Sequence, residues 1–256
     1  MTATAVTVTD RASYVLAENP GLMTLDGTNT WILREPGAAR SVVVDPGPAD
    51  DAHLQAVLAA AGEVGLVLFT HRHFDHTEAL ARIVELTGAP TRSIDPTFTR
   101  DADVLADGES IDVDGLLIEV LATPGHTTDS ACFLVGAENL LLSGDTILGR
   151  GTTVIAHPDG VLGPYLDSLA RIRELVEEGV VQQILPGHGP VVTDPAAVVD
   201  FYLEHRADRL DQVRAAVEAG ATTAREVVET VYRDVDETLW PAAELSVAAQ
   251  LDYLKR

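Results

Sequence analysis

Short hydrophobic runs dominate the first two-thirds of the chain, and they are rich in the aliphatic and β-branched side chains that favour strands. The runs are nearly continuous instead of alternating with polar residues, which predicts strands covered on both faces. The predicted strands cover residues 30–33, 41–44, 65–69, 116–121, 131–135 and 140–142. Cys132, the only cysteine, lies in one of these runs, and we expect a small buried hydrophobe there instead of a catalytic thiol.

Helical patterns first interrupt these runs and then replace them. The predicted helices cover residues 50–61, 77–87, 163–178, 195–219, 222–232 and 239–254. Gly88 is expected to end the second helix, and Thr223 and Glu226 have the spacing of a capping box. Because no strand is predicted after the fourth helix begins, the pattern indicates an α/β domain over residues 1–204 and a helical domain over residues 205–256.

Composition and charge narrow the classes of protein and partner. The 256 residues include 40 acidic and 17 basic side chains, for a net charge of −23. Such a field repels polyanions, so duplex DNA is not an expected partner. No apolar run reaches the ~18 residues of a membrane span, and residues 1–10 lack the features of a secretory signal. The sequence therefore predicts a cytoplasmic protein with no membrane partner.

Candidate chemistry lies in four segments that share one pattern: an apolar run, one or more turn residues, and then a metal-capable side chain. The four segments are Val67–His73, Val120–His126, Leu140–Asp145 and Gln183–His188. If each run is a strand, each polar side chain lies just past a carboxyl end, where loops at one sheet edge converge. Proline and glycine in the turns allow the backbone to bend sharply there.

The densest segment is His71-Arg-His73-Phe-Asp75-His76. His71 and His73 are two residues apart and face the same side of an extended loop. Imidazoles and carboxylates suit zinc, a carboxylate can bridge two ions ~3.5–4 Å apart, and water shared between them becomes a nucleophile near neutral pH. We therefore predict two zinc ions per chain. Iron and manganese are also compatible with this nitrogen and oxygen set.

These motifs resemble a known family. His-x-His-x-Asp-His, followed by Thr-Pro-Gly-His-Thr, Ser-Gly-Asp and Pro-Gly-His-Gly segments, is similar to the metallo-β-lactamase superfamily in its glyoxalase II and ribonuclease Z branches. The resemblance implies an αββα sandwich and seven metal ligands. In that assignment the first metal takes His71, His73 and His126, the second takes Asp75, His76 and His188, and Asp145 bridges them. Asp75 and Asp145 would also be the catalytic carboxylates.

A narrower resemblance involves residues 25–31, 144–153 and 165–169 and the tail around His205, which are similar to the beta-lactamase-like protein 2 family. That family joins this fold to a small winged-helix-like C-terminal domain. The resemblance implies a hydrolase that uses a metal-bridging hydroxide and cleaves single-stranded RNA. Because relatives in polyketide pathways hydrolyse acyl thioesters, a small-molecule thioester of the glyoxalase II type is the alternative substrate. The predicted helix 239–254 leaves little room after it for a β-hairpin wing. This weakens the prediction that the C-terminal domain binds nucleic acid.

Two other functions are weighed against these. A non-catalytic metal-binding module would usually have a broken ligand set, and here none is broken. A true β-lactamase is disfavoured because Asp145 at the bridging position is typical of the glyoxalase and nuclease branches. A ribonuclease also needs basic residues for phosphates, for which Arg72, Arg150 and Arg206 are the candidates. The sequence leaves the oligomeric state open.

The remaining polar residues near the motifs receive weaker assignments. Residues 127–130 either support the metal ligands or stabilise a turn, and the sequence does not decide between the two. Asp45 is expected to be a structural support at a strand end. His157 could protonate a leaving group, but a surface position is favoured. His53 and His205 are expected to be solvent-exposed or capping residues.

Overall fold

The computed structural model describes residues 4–255, and two β-sheets form its centre. Residues 1–3, which belong to the stretch 1–10 that was predicted to lack a secretory signal, and Arg256 lie outside that range. The first sheet contains six strands in chain order: β1 (Val6–Thr7), β2 (Ala12–Leu16), β3 (Asn29–Leu33), β4 (Arg40–Val44), β5 (Glu63–Leu68) and β6 (Thr91–Arg92). Strands β1 to β4 pair antiparallel, whereas β4, β5 and β6 pair parallel.

The second sheet has the order β11-β10-β9-β8-β7. Its strands are β7 (Ser110–Val113), β8 (Leu116–Ala122), β9 (Ala131–Val135), β10 (Leu140–Gly144) and β11 (Gln183–Pro186). Only β10 and β11 pair parallel within it. Since β9 is antiparallel to both of its neighbours, β8, β10 and β11 all run in one direction, and their carboxyl ends meet at one edge of the sheet.

Seven α-helices accompany the sheets in the described part of the chain. They are α1 (Asp51–Ala61), α2 (Phe74–Thr77), α3 (Leu80–Thr87), α4 (Leu162–Glu177), α5 (Pro195–Glu218), α6 (Ala224–Val231) and α7 (Trp240–Leu254). Asp50 caps α1 through a hydrogen bond from the His53 amide, and Gly88 ends α3 with a φ of +65°, as predicted. The predicted helix 77–87 corresponds to α3, which begins at Leu80, and Thr77 is the last residue of the separate short helix α2.

The layers follow from the alternation of side chains along the strands. Trp31 and Leu33 of β3 face the second sheet, where they share a buried cluster with Ile118 and Phe133. Ile32, between them, points the other way and packs with α1 and α3. The outer face of the second sheet packs on α4 and α5. Helix, sheet, sheet and helix therefore form the predicted αββα sandwich.

The prediction of strands covered on both faces is confirmed for β3, β9 and β10, all of whose residues are buried. It is wrong for β8, in which buried and exposed residues alternate over the first half and Leu117 is 58% exposed. The β7–β8 hairpin extends past the helices, so its outer face meets solvent. The sequence prediction also omitted β2, β7 and the two-residue strands β1 and β6.

The C-terminal helices form their own small core, in which Val213 and Ala216 of α5 pack with Val227, Val228 and Val247. The predicted capping box is present: Thr223 accepts a hydrogen bond from the Glu226 amide, and Glu226 accepts one from the Thr223 amide. Every regular element between Asp194 and Lys255 is helical. The predicted boundary at residue 204 lies inside α5, and the division into two domains remains a prediction.

No helix within residues 4–255 has both the length and the apolar character needed to cross a bilayer.

Candidate metal centre

The seven predicted ligands come from four loops that meet at one edge of the sandwich. His71 and His73 follow β5, and Asp75 and His76 lie on α2 directly after them. The other three residues come from the second sheet: His126 follows β8, Asp145 follows β10 and His188 follows β11. The two sheets therefore contribute to the site from opposite sides of the central core.

One group of donor atoms contains His71, His73, His126 and Asp145. His73 Nδ1 lies 3.0 Å from His71 Nε2 and 3.0 Å from His126 Nε2. Asp145 Oδ2 lies 4.0 Å from His71 Nε2 and 3.8 Å from His126 Nε2. Donors around a tetrahedral zinc ion at ~2.0–2.1 Å are about 3.3 Å apart, so these spacings are of the right size for one ion.

The second group contains Asp75, His76 and His188. Asp75 Oδ2 lies 3.3 Å from His76 Nε2 and 3.1 Å from His188 Nε2, and the two imidazole nitrogens are 3.2 Å apart. Asp145 connects the groups, since its Oδ2 is also 3.4 Å from His188 Nε2 and its Oδ1 is 3.6 Å from His76 Nε2. The geometry thus places Asp145 where the family resemblance puts a bridging ligand.

Hydrogen bonds fix which imidazole nitrogen faces the centre. His126 Nδ1 donates to the Val154 carbonyl at 2.9 Å, and His188 Nδ1 donates to the Gly27 carbonyl at 3.0 Å. These carbonyls only accept, so the protonated nitrogen must lie on the outside and Nε2 is left with a free lone pair. This is the tautomer that a metal-binding histidine requires.

Asp45 orients one histidine of each group, as expected for a structural support. Its Oδ2 accepts from His76 Nδ1 at 2.9 Å and from the Thr70 hydroxyl at 2.6 Å. The Thr70 hydroxyl in turn accepts from His71 Nδ1 at 3.0 Å, and Asp45 Oδ1 accepts from the Thr70 amide at 2.8 Å. A single buried carboxylate therefore sets the ring orientation of both His71 and His76.

The electrostatics of the centre favour a cation. Burial lowers the pKa of His73 to about 4, and His71 and His126 are shifted the same way for the same first reason. Burial also disfavours the charged form of His188, but Asp145 and Asp75 outweigh it and raise that pKa to about 9. The pKa values of both carboxylates lie far below the ordinary range because nearby histidines outweigh burial. Burial likewise disfavours the charged form of His76, but Asp75, Asp45 and Asp145 outweigh it and raise that pKa. Without a metal, the carboxylates thus draw protons onto His76 and His188, and a bound cation would replace those protons.

An unsatisfied polar atom also points to a missing positive partner. Asp145 Oδ1 is buried and accepts no hydrogen bond from any described residue. A buried carboxylate oxygen without a partner is costly unless a cation occupies its lone pairs. Together with the imidazole nitrogens that face one another, this donor set fits two divalent ions. The number and identity of the ions remain predictions.

Glycines in the turns allow the close approach that the sequence pattern indicated. Gly144 has a φ of +49°, and a Cβ there would lie 2.6 Å from Thr70 Oγ1. At Gly187 a Cβ would lie 2.7 Å from Asp145 Oδ1 and 2.8 Å from His76 Cε1. A larger residue at Gly187 would displace two donor groups directly, and one at Gly144 would displace Thr70, the hydrogen-bond partner of His71.

Comparisons with known proteins agree with this geometry. Residues 23–188 match the family model described as the metallo-beta-lactamase superfamily. The chain belongs to the metallo-β-lactamase superfamily. Residues 223–256 match the model of the beta-lactamase associated winged helix domain. Superfamily membership makes this chain one of a group of generally metal-dependent hydrolases, and the α/β sandwich with a winged-helix-associated C-terminal domain is confirmed.

Two curated relatives and one solved structure illustrate the similarity. A beta-lactamase-like protein 2 homologue from Drosophila melanogaster is 33% identical, over 97% of this chain and 89% of its own length, which confirms the narrower resemblance. An atrochrysone carboxyl ACP thioesterase from Aspergillus fumigatus is 32% identical, over 87% and 73%. A beta-lactamase domain protein from Burkholderia ambifaria has a TM-score of 0.81 at 20% identity, over 98% of this chain and 87% of the other, and shows the fold.

The three arginines proposed as phosphate-binding candidates are engaged elsewhere. Arg72 forms ion pairs with Asp129 and Asp159 at 2.9 Å. Arg150 pairs with Asp26. Arg206 is buried, donates to the Thr153 carbonyl and lies over the Tyr165 ring. These side chains do not form a basic cluster at the centre of this superfamily member.

The structure also tests the predicted environments of the other three histidines and of the cysteine. His53 is 4% exposed, and its Nε2 lies 2.8 Å from Thr30 Oγ1, so the prediction of a solvent or capping role is wrong. His157 is partly exposed and does not line the cavity at the centre. His205 is also partly exposed, beside Thr152. Cys132 is buried in β9 and burial raises its thiol pKa to about 11, as expected for a structural residue.

Residues 127–130 stabilise the turn after His126 instead of contacting the donor groups. The Thr127 amide donates to Ser130 Oγ at 3.1 Å, and Asp129 accepts from Arg72. Sequence reasoning missed the partners that do orient the donors, including Thr28, whose hydroxyl donates to Asp75 Oδ2 at 3.1 Å. Thr28 lies within the stretch 25–31 that carried the narrower resemblance, so a signal for it was present. Gly27 lies in the same stretch, whereas Val154, whose carbonyl orients His126, lies outside every stretch that carried the resemblance.

Proposed function

We propose that this metal-dependent hydrolase acts on acyl thioesters and holds two zinc ions between its donor groups. The observation that carries the proposal is the cavity at the centre. It has a volume of about 140 Å³, and His73, Asp75, His126, Asp145 and His188 form its floor. Its walls are largely apolar, with Leu22, Met23, Leu25, Leu148 and Val154. An acyl group of modest size suits these walls better than a charged phosphate does.

Charge supports the same substrate class. The protein carries a net charge of −23. Among the described residues 4–255, Arg150 is the only basic side chain other than histidine along this cavity, and it is paired with Asp26. A neutral thioester needs no basic field in order to bind, whereas a polyanion does. The similarity to a protein named as an ACP thioesterase is consistent with this choice.

Thioester hydrolysis requires specific roles of the residues at the cavity. Hydrolysis adds water to the carbonyl carbon and breaks the carbon–sulfur bond, which releases a carboxylic acid and a thiol. Bound divalent ions would supply an acidified water and a Lewis acid for the carbonyl oxygen. The chain itself positions Asp75, which is 27% exposed at its side chain, borders the cavity and is held by the Thr28 hydroxyl. Leu22 and Met23 line the same cavity and offer it an apolar surface.

Cleavage of single-stranded RNA is the second candidate, since the resemblance to beta-lactamase-like protein 2 implies it. Two donor groups that share Asp145 would also suit displacement at a phosphodiester. In that case few basic contacts would hold the strand. The dependence of log affinity on log salt would then be shallow, with one to three phosphate contacts at roughly −0.7 each.

The test is an activity panel on zinc-loaded protein with an acyl thioester, a short single-stranded RNA and a cephalosporin. We expect thiol release from the thioester at a rate well above that of either other substrate, and loss of this activity in Asp145→Ala. Arg82→Ala, at an exposed ion pair on α3, is the matched control. RNA cleavage without thioester hydrolysis would overturn the proposal in favour of the nuclease.

A further inference from the structure

A second cavity, of about 290 Å³, continues from the active-site cavity toward the C-terminal helices. The two cavities share the residues Leu22, Met23, Thr152, Thr153 and Val154 along their common boundary. Beyond this boundary the second cavity is lined by α5, by the segment after α6 and by α7. We call it the C-terminal groove. Because the boundary is shared, one elongated molecule can occupy both spaces.

Two apolar side chains on the shared boundary are unusually exposed to solvent. Leu22 is 68% exposed and Met23 is 53% exposed, although both are large apolar side chains. They stand between the donor groups and the C-terminal groove, where the apolar body of a substrate would cover them. Exposed apolar side chains grouped at a cavity mark a binding surface more often than scattered ones do.

The C-terminal groove differs from the rest of the molecule in charge. His205, Arg206 and Arg209 of α5 line it, and no aspartate or glutamate does. In a chain with 40 acidic residues, most arginines in the described range pair with a carboxylate, but neither Arg206 nor Arg209 has an ion pair there. Two guanidinium groups without a carboxylate counterion therefore face one groove.

Among the described residues, Arg206 has a donor without a partner, whereas the guanidinium of Arg209 is held in place by its neighbours, including the Val231 carbonyl. Arg206 is 8% exposed, and its Nε is buried without a hydrogen-bond partner in residues 4–255. Arg209 lies 4.6 Å above the Tyr232 ring and donates to the Gln212 side chain, which holds its planar group in a fixed orientation. Burial, together with the Arg206 and Arg209 charges, lowers the pKa of His205, as expected where positive charge accumulates.

We infer that the C-terminal groove binds the part of the substrate remote from the thioester, and that Arg209 selects a substrate with a carboxylate or phosphate on that part. The inference rests on the proposed function and adds the chemical class of the remote group. Its apolar body would lie on Leu22, Met23 and Val154, and its anionic end would meet the guanidinium of Arg209. A planar guanidinium suits both oxyanions because it can donate two parallel hydrogen bonds.

The remote group can belong to either arm of a thioester, so the test uses three substrates. One carries a terminal carboxylate on the thiol arm, the second carries it on the acyl arm, and the third has a neutral amide on both. We measure kcat and KM for the wild type, Arg209→Gln and Arg209→Lys. Arg214→Gln is the control, because Arg214 lies on the same helix, pairs with Asp211 and does not line the groove.

We expect the wild type to prefer one of the two anionic substrates over the neutral one by on the order of tenfold in kcat/KM, mainly through KM. Arg209→Gln should remove this preference, Arg209→Lys should keep part of it, and Arg214→Gln should leave it intact. Arg214→Gln should turn over the neutral substrate at the wild-type rate, and thermal unfolding of each Arg209 variant reports separately on folding. The arm that carries the preferred carboxylate identifies which side of the thioester enters the groove.

Three results would overturn the inference, and each has a distinct meaning. If the wild type hydrolyses all three substrates equally, or Arg209→Gln keeps the preference, the groove does not select charge and the thioesterase proposal stands. If no thioester is hydrolysed, both proposals fail. If Arg209→Gln slows cleavage of a short single-stranded RNA but not of any thioester, the groove binds a phosphodiester strand. Should Arg209→Gln not fold, Arg209→Met, which keeps an unbranched side chain but lacks the guanidinium that lies over Tyr232, replaces it.

Discussion

Asp45→Asn is the most informative change in the neighbourhood of the donor groups, because it alters one atom and leaves the shape intact. Asp45 Oδ1 accepts from the Thr70 amide, and Oδ2 accepts from both His76 Nδ1 and the Thr70 hydroxyl. An asparagine can keep the first contact with its carbonyl oxygen. Its NH2 group then faces His76 Nδ1, where two donors would meet.

Two responses can relieve this conflict, and both disturb the centre. If the rings keep their tautomer, a buried donor is left unpaired at a cost of about 1–3 kcal/mol in unfolding free energy. If His76 instead moves its proton to Nε2, the nitrogen that faces His188 and Asp75 carries hydrogen and cannot bind a metal. A supporting residue of this kind typically changes metal affinity about 10- to 100-fold.

The measurement is a zinc titration of metal-free protein by competition with a chromophoric chelator, together with urea unfolding. We expect one of two zinc equivalents to weaken by at least about tenfold in Asp45→Asn, and turnover to fall with it. Asp50→Asn is the matched control, since Asp50 only caps α1 and asparagine caps helices equally well. Two equivalents of zinc bound with wild-type affinity by Asp45→Asn would refute the role assigned to Asp45.

Three further predictions follow from the same geometry. Asp145→Ala should reduce bound zinc below two equivalents by elemental analysis and abolish hydrolysis, because its carboxylate approaches both groups; full metal content would contradict the bridging position. The metal-free protein should be most stable to urea near pH 6.5. Between pH 6.5 and about 4, the unfolded chain protonates its histidines whereas folded His73, with a pKa of about 4, stays neutral, so stability falls as the pH falls. Between pH 6.5 and about 9, folded His188, with a pKa of about 9, keeps a proton that the unfolded chain has lost, and this contribution to stability is lost as the pH rises. Gly144→Ala should lower the free energy of unfolding by about 2 kcal/mol or more, because the new Cβ would clash with Thr70. Gly88→Ala, at a similar positive φ but with open space around it, should lower it by only about 1 kcal/mol. Equal losses in the two variants would show that the close approach at Gly144 does not matter.

The sequence was most informative where chemistry depends on side-chain type. Histidines and aspartates in four repeated contexts led to the whole donor set, because imidazole and carboxylate groups in that spacing have few other uses. The fold could be anticipated wherever a strand was long and uniformly apolar, as in β9. Strands at the edges of the sheets were less predictable. The edge strand β7 has only four residues and an alternating pattern, which is a weak signal by itself.

Other features depend on tertiary contacts that no local pattern encodes. His53 occupies the first turn of α1, a position that is commonly exposed, yet the adjacent sheet covers it and Thr30 meets its ring. The carbonyls that orient His126 and His188 belong to Val154 and Gly27, and every residue has such a group. The pairing of Arg72 with Asp129 and Asp159 likewise became visible only once the loops were placed in space.

The division of the donors between the two sheets has a consequence for the resistance of the folded protein to proteolysis. His71 and His76 come from the N-terminal half of the chain and the first sheet, whereas Asp145 and His188 come from the C-terminal half and the second. An ion held by both would act as a reversible cross-link that closes a very long loop, and closing such a loop restricts the unfolded chain more than closing a short one. Removal of metal should then loosen the two halves together, so the supply of zinc would govern resistance to proteolysis as well as catalytic turnover.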